Sequence, residues 1–269
     1  MIQALVALIL LATVAWGVYQ ARALKLEERE IAIPGLPAHL NGRRILHISD
    51  AHLGPRWNLS SKILSLAEAA RPDWTLVTGD MTLGRGGIPP AARLLEGLAA
   101  LNPTWVVPGN AEYAAMRSHS VPPGYDRAAR LLLNSAELLA DGDPPCWIAG
   151  ADCPHREYAD LEVALSAVPE HAWTVLMAHS PDVILDPTAR RCRLIFAGHT
   201  HGGQVRIPGL RALYANTKIG RRYADGLHDL GGTMLIVTRG AGVARLPVRF
   251  FCPPELTVWR LVRCGHTEL

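Results

Sequence analysis

The sequence predicts an α/β domain. Between residues 43 and 110 three strands each end in a polar turn, and helical segments separate them, the pattern of βαβ units around a largely parallel sheet. A β-rich stretch with Gly- and Pro-rich turns follows it. Side chains able to bind metal stand where the apolar runs stop, and open α/β sheets place their sites at the carboxyl ends of strands. The 269 residues allow one large domain or two small ones. A composition 49% hydrophobic and 19% charged opposes disorder. The net charge of +3, without a block of like charges, gives no reason to invoke nucleic acid. Cys146, Cys153, Cys192, Cys252 and Cys264 are scattered and form no Cys-x-x-Cys pair, which fits reduced thiols better than a disulfide framework or zinc ribbon.

Residues 1–23 read as a transmembrane anchor. Met1 to Ala21 contains no charged side chain, and 21 helical residues extend roughly 30 Å, about one hydrocarbon core. Trp16 and Tyr19 stand near its end, where interfacial aromatics belong. Arg22, Lys25 and Arg29 follow it, so the positive-inside rule puts the remainder on the cytoplasmic face of the inner membrane. The competing readings are a membrane-surface helix and a cleaved signal peptide that exports the domain. Ala21-Arg22-Ala23 resembles a cleavage site for the latter. Residues 24–42 read as a linker and edge strand, with Leu26 to Ile33 alternating loosely before Pro34-Gly35-Leu36-Pro37 breaks the run. Residues 43–269 read as the catalytic domain, without a second domain or internal repeat.

Within it, Arg44 to Ser49 is a strand ending at Asp50-Ala51-His52. Leu59 to Ala70 has helical spacing after Asn58, a good cap. Trp74 to Thr78 is a strand ending at Gly79-Asp80, Pro90 to Ala100 a helix with Pro at its start, and Thr104 to Val107 a strand ending at Pro108-Gly109-Asn110. Asp126 to Leu133 and Tyr158 to Val168 read as helices. Cys146 to Gly150 and Trp173 to Ala178 read as strands, the second ending at His179. Leu194 to Ala197 is a buried strand that runs into Gly198-His199-Thr200-His201-Gly202-Gly203-Gln204. Val205 to Ile207, Met234 to Val237 and Leu256 to Trp259 complete the strands.

Asp50, His52, Asp80, Asn110, His179, His199 and His201 are therefore seven candidate ligands at strand ends. Carboxylates, imidazoles and an amide oxygen suit manganese, iron or zinc as divalent ions. The absence of thiolates among them opposes a structural zinc site. Seven exceed one tetrahedral ion and suit two ions sharing a carboxylate. His-x-His also occurs in zinc amidohydrolases, but there the pair comes first in the chain, whereas here it is the last ligand motif.

Asp-x-His, Gly-Asp, Gly-Asn, a lone His and Gly-His-x-His, in that order, resemble the calcineurin-like metallophosphoesterases. The resemblance covers about Arg43 to Leu261. Gly-His-Thr-His-Gly-Gly-Gln and Cys252-Pro253-Pro254-Glu255 look most like the membrane-associated branch, which includes the UDP-2,3-diacylglucosamine pyrophosphatases of lipid A synthesis. The resemblance implies a four-layer sandwich of two mixed β-sheets flanked by helices. It implies that Asp50, His52 and His201 hold one metal, that Asn110, His179 and His199 hold the other, and that Asp80 bridges them. It implies a dinuclear phosphohydrolase, manganese being the expected metal, that cleaves a phosphodiester or pyrophosphate bond with metal-activated hydroxide. A lipid-linked nucleotide such as UDP-2,3-diacylglucosamine is the sharper substrate expectation. The alternatives are a general phosphodiesterase or phosphatase and a weakly active metal-binding membrane scaffold.

One position departs from the family pattern. Gly-Asn is usually followed by a histidine that contacts phosphate or protonates the leaving group, and here the run is Gly109-Asn110-Ala111-Glu112. Three explanations compete: a leaving group that needs no acid, a substitute among Glu112, Arg117 and His119, and weak catalysis. With Asp80 and Asn110, Glu112 makes up the expected catalytic set. Arg56, Arg85 and Arg117 follow metal motifs and could bind phosphate. Residues 113–133 read as a cap over the site, with Met116, Val121, Tyr125 and Leu131 to Leu133 available to acyl chains. His47 reads as a packed strand histidine, and His39, His155, His171, His228 and His266 as surface residues.

Overall fold

The computed structural model describes residues 1–264 except 56, 210, 211 and 245. In chain order the elements are α1 (Ile2–Arg22), β1 (Lys25–Ile33), β2 (Arg44–Ile48), α2 (Ser60–Ala70), β3 (Trp74–Val77), α3 (Ile88–Leu101), β4 (Thr104–Val106), α4 (Asn110–Met116) and α5 (Tyr125–Ala128). Then come β5 (Arg130–Leu131), β6 (Ser135–Ala140), β7 (Cys146–Gly150), α6 (Leu161–Ala164), β8 (Trp173–Met177), β9 (Leu194–Ala197), β10 (Gly226–Asp229), β11 (Met234–Val237) and β12 (Glu255–Arg263). Short 3₁₀ turns join several of them.

Two mixed six-stranded sheets form, in the orders β1-β12-β2-β3-β4-β5 and β10-β11-β9-β8-β7-β6. β2 to β5 are mutually parallel, and so are β7, β8, β9 and β11, so their carboxyl ends collect at one end of each sheet. The period of two decides which side chains meet. On β2, Ile45 enters the space between the sheets and Leu46 faces the helices; on β9, Phe196 points inward and Ile195 outward. Ile45, Leu76 and Trp105 thereby pack against Ile148, Val175, Phe196 and Ile236 between the sheets. Outside the first sheet, Ile63 and Ala67 of α2 and Leu94 and Leu98 of α3 cover Leu46, Val77 and Val106. Outside the second, Leu161 and Ala164 cover Ala149, Leu176 and Ile195. The result is the four-layer helix, sheet, sheet, helix order.

α1 leaves its apolar surface uncovered. Only Gly17 and Ala21 are buried, and the helix is long and apolar enough to cross a membrane.

Several local expectations change. The helix expected over 126–133 ends at Ala128, because Arg130 and Leu131 instead pair with Trp105 and Val106 on the open edge of β4. The helix expected over 158–168 shrinks to α6, started by Asp160, whose carboxylate accepts the Val163 N–H at 3.0 Å. Val205 to Ile207 makes a single bridge between Val205 and Phe250 in place of a strand. Asn58 stands one residue outside the α2 cap position and accepts the Ser60 N–H at 2.9 Å. β6 and β10 are added, each held by a partner strand despite little β-branched character of its own.

Candidate metal centre

Tight turns at the strand ends aim the candidate ligands. Asp50, His52, Asp80, His199 and His201 all have φ between +43° and +70°, a left-handed backbone that costs such residues roughly 1–2 kcal/mol each. Strain of this kind is held where the surrounding structure compels it, typically at functional sites. Close approach compels it here. A Cβ on Gly198 would lie 2.0 Å from Ser49 Oγ and 2.4 Å from Asp50 Oδ2, and one on Gly109 would lie 2.2 Å from Asp80 Oδ1. The His199 N–H donates to Asp50 Oδ2 at 2.9 Å, so the two sheets are tied together at the site itself.

Two buried groups result, each with ligand atoms within 4.8 Å of one another: Asp50 with His52 and His201, and Asp80 with His179 and His199. In the first, His52 Nε2 and His201 Nε2 are 3.1 Å apart, and His201 Nε2 is 3.4 Å from Asp50 Oδ1. In the second, His179 Nε2 is 3.4 Å from Asp80 Oδ1 and 3.0 Å from His199 Nδ1. Asp80 belongs to both neighbourhoods, because its Oδ2 is 3.6 Å from His52 Nε2. Asn110 closes the cluster, its amide N–H donating to Asp80 Oδ2 at 3.3 Å.

The donor set fits divalent metal. Asp50 Oδ1 and Asn110 Oδ1 are buried acceptors without a hydrogen-bond partner among the described residues. Buried acceptors are rarely left so, and a cation satisfies both. Four buried imidazoles turned toward two carboxylates are also a donor set that suits such an ion. Burial pushes His199 down to about 3 and His201 well below the usual imidazole value, keeping both neutral and able to ligate. Burial also raises Asp50. For Asp80, burial alone would raise the carboxyl, but the facing His179 and the Ala111 N–H hold it well below the usual range.

Partners behind the ligands set their directions. The His179 Nδ1 side faces the Thr78 carbonyl at 2.8 Å. The Asn216 amide lies 2.9 Å from His199 Nε2, on the ring side opposite His179. The fully buried Arg249 donates to the His201 carbonyl at 3.3 Å and to the Gly242 carbonyl at 2.6 Å. Neither Asn216 nor Arg249 carries a sequence signal beyond its residue type.

Glu112 differs from its expected acid role. Its side chain is wholly buried, and its two oxygens accept the backbone N–H groups of Asp80, Met81, Thr82 and Gly109 at 2.8–3.2 Å, together with the Tyr125 hydroxyl. Five donors surround the carboxylate, so the geometry makes Glu112 a fastening between the turns that carry Asp80 and Asn110. Tyr125 and Leu132 are buried core residues and not an acyl-contacting surface. His47 is packed as expected, edge-on to Phe196 with Nε2 2.9 Å from Thr78 Oγ1. His155 is exposed as expected, yet it has a neighbour the sequence does not signal. Its ring lies 4.6 Å from that of His199, at the rim of the centre. His119 stacks on Tyr158 at 3.8 Å and meets Asp152 at 3.3 Å. Arg85 donates to the Ala115 carbonyl, and Arg117 ends α4. Arg56 lies outside the described residues.

Comparison with known proteins agrees with this geometry. The family model for calcineurin-like phosphoesterases matches residues 43–203. The metallophosphoesterase YkuE of Bacillus subtilis is 30% identical over 239 residues, covering 84% of this chain and 81% of that protein. The UDP-2,3-diacylglucosamine pyrophosphatase LpxG of Chlamydia muridarum is 27% identical over 300 residues, covering 88% of this chain and 89% of LpxG. A transmembrane protein with a metallophosphoesterase domain from Danio rerio is 28% identical, covering 95% of this chain and 62% of that protein.

Proposed function

Because the chain belongs to the calcineurin-like phosphoesterase family, and is accordingly a metal-dependent phosphoester hydrolase, we propose that it cleaves the pyrophosphate or phosphodiester bond of a lipid-linked nucleotide at a membrane surface. The observation that carries the proposal is Asp80, whose two oxygens face His179 and His52 in separate ligand groups. In this reading Asp50, His52 and His201 would hold one ion, Asn110, His179 and His199 the other, and Asp80 would serve both. Divalent ions held there, manganese foremost with iron or zinc as alternatives, would supply a water-derived nucleophile at neutral pH and offset charge on the phosphoryl oxygens.

The chain's own residues do the rest. Asn110 offers a neutral oxygen, so it ligates without cancelling metal charge. The Ala111 N–H, 2.7 Å from Asp80 Oδ1, fixes the bridging carboxylate. Glu112 holds both turns in register. Ala111 has no proton to give and Glu112 is buried and engaged by five donors of this chain, which favours a substrate whose leaving group is a stable anion. A nucleotide phosphate is such a group, and a simple alkoxide is not. The pyrophosphatase name of LpxG and the apolar α1 support the same substrate class. We place the hydrolase in residues 43–269, on the cytoplasmic face of the membrane that α1 enters.

The test uses the full chain with its metal content measured. Manganese-dependent turnover of UDP-2,3-diacylglucosamine well above that of bis-p-nitrophenyl phosphate is expected. Turnover of the diester alone would favour a general phosphodiesterase. No turnover of either, with both ions bound, would leave a metal-binding scaffold.

A further inference from the structure

We infer that a second apolar surface, built from the loops that carry His199 and His201, rests in the interfacial layer of the same bilayer that α1 enters. The inference depends on α1 being a membrane helix and not on which phosphoester is cleaved. α1 meets the domain without a spacer. The Gly17 carbonyl, little more than a turn from the helix end, accepts the Arg249 N–H at 3.0 Å. Trp16 packs on Phe250 and Phe251, with ring centroids 5.6 and 5.0 Å apart. A side chain at Gly17 would strike the Phe250 ring at 2.6 Å. The point where α1 leaves the hydrocarbon is thus the point where it touches the 249–251 segment.

That segment is laced to its neighbours. The Arg206 N–H donates to the Phe250 carbonyl, the Phe250 N–H to the Gln204 carbonyl, and the Gln204 amide to the Leu246 carbonyl. Gly203 backs closely onto Ala212 and the Tyr214 carbonyl. These joined loops leave Val205, Ile207, Leu213, Tyr214, Leu246 and Phe251 exposed, between 37% and 70% of each. Large apolar side chains exposed on adjoining, hydrogen-bonded loops mark an interaction surface. Continuity with α1 identifies the partner as the bilayer. The same loops reach the ligands: Arg249 donates to the His201 carbonyl, and Asn216, two residues past Tyr214, meets His199. The metal centre would then open at the lipid headgroups, and a lipid-linked phosphoester would reach it sideways without leaving the membrane.

The test places an environment-sensitive fluorophore on single cysteines in the full chain, with Cys264→Ser removing the one native cysteine that is not buried. The protein is reconstituted in phosphatidylcholine nanodiscs with and without a bromolipid quencher. The labelled substitutions are Leu8→Cys in α1, Ile207→Cys and Leu213→Cys in the proposed surface, and Asp141→Cys in the turn before β7, at the opposite end of the sheet. Blue-shifted emission with bromolipid quenching at 8, 207 and 213, and neither at 141, is the expected result. Quenching at 8 alone would overturn the inference while keeping the anchor. A blue shift at 207 and 213 without quenching would also overturn it, showing contact with a second copy or another protein. No quenching at 8 would remove the anchor and the inference together. None of these readouts involves turnover, so failure here is distinct from failure of the substrate proposal.

Discussion

Glu112 holds Asp80 by the backbone, accepting the Asp80 N–H at 2.9 Å through the same oxygen that accepts the Gly109 N–H at 2.8 Å. One carboxylate thereby joins the turn after β3 to the turn after β4, and with them Asp80 to Asn110. In Glu112→Gln, one acceptor becomes an NH₂ group facing N–H donors. A buried donor left without a partner costs about 1–3 kcal/mol, and for a chain of this size each kcal/mol lowers Tm by about 2–4 °C. Calorimetry should show that loss, accompanied by a lower kcat. The pH-rate profile should keep its shape. A vanished limb in that profile would show Glu112 acting as a proton donor after all.

Asn216 has a comparable relation to His199, through the ring instead of the backbone. Removing a group that orients a metal-ligating histidine typically costs 10–100-fold in metal affinity or activity, on the order of 1.4–2.8 kcal/mol. Asn216→Ala should fall in that range by chelator competition, with Tm in excess chelator close to that of the unchanged protein. Unchanged metal affinity would show that His199 is positioned by its strained turn alone.

The contrast between these two residues explains how much of the centre could be read from sequence. Asp50, His52, Asp80, Asn110, His179, His199 and His201 each follow a short apolar run that reads as a buried strand in a βαβ succession, and strand ends collect at one edge of a parallel sheet. Their meeting is a consequence of topology, which hydrophobic periodicity reveals. Asn216 and Arg249 follow no such run. Their places depend on the path of irregular loops, for which short-range pattern is silent. Glu112 was legible as important but not in its role, because a sequence does not show which way a carboxylate points. Likewise β5 and β6 exist because a neighbouring edge has free N–H and C=O groups, a tertiary cause with little local trace.

Acid should weaken the tie between β1 and the site end of the domain. Glu27 on β1 pairs with Arg29 and with Arg239, which also pairs with Glu255 of β12. Burial would raise the Glu27 carboxyl, but the two guanidinium groups outweigh it and hold the carboxyl below its usual value. A folded pKa below the unfolded one means that the ionised form contributes stability above the unfolded pKa. That contribution is lost as pH falls through the folded pKa. The Tm difference between the unchanged protein and Glu27→Gln should therefore be constant above about pH 5.5 and shrink as pH falls below about 4.3. A difference that grows in acid would contradict the pairing.

Gly109→Ala tests whether Asp80 serves both ligand groups, as we propose. The backbone at Gly109 has φ −106° and ψ −173°, open to any residue, so the substitution brings no conformational penalty of its own. Its effect is contact: the new Cβ would stand 2.2 Å from Asp80 Oδ1 and 2.6 Å from the Asp80 nitrogen. The core layers are untouched, so the stability cost should stay within the roughly 1–3 kcal/mol of a local overpacking. Asp80, however, cannot keep both oxygens between His179 and His52 while making room. The expected outcome is a folded protein that binds at most one equivalent of manganese tightly and loses at least 10²-fold in phosphodiester turnover, about 2.7 kcal/mol or more of transition-state stabilisation. Metal content by atomic emission and turnover measured on the same sample decide it. Two tightly bound ions with near-normal turnover would show that Asp80 tolerates displacement and does not bridge.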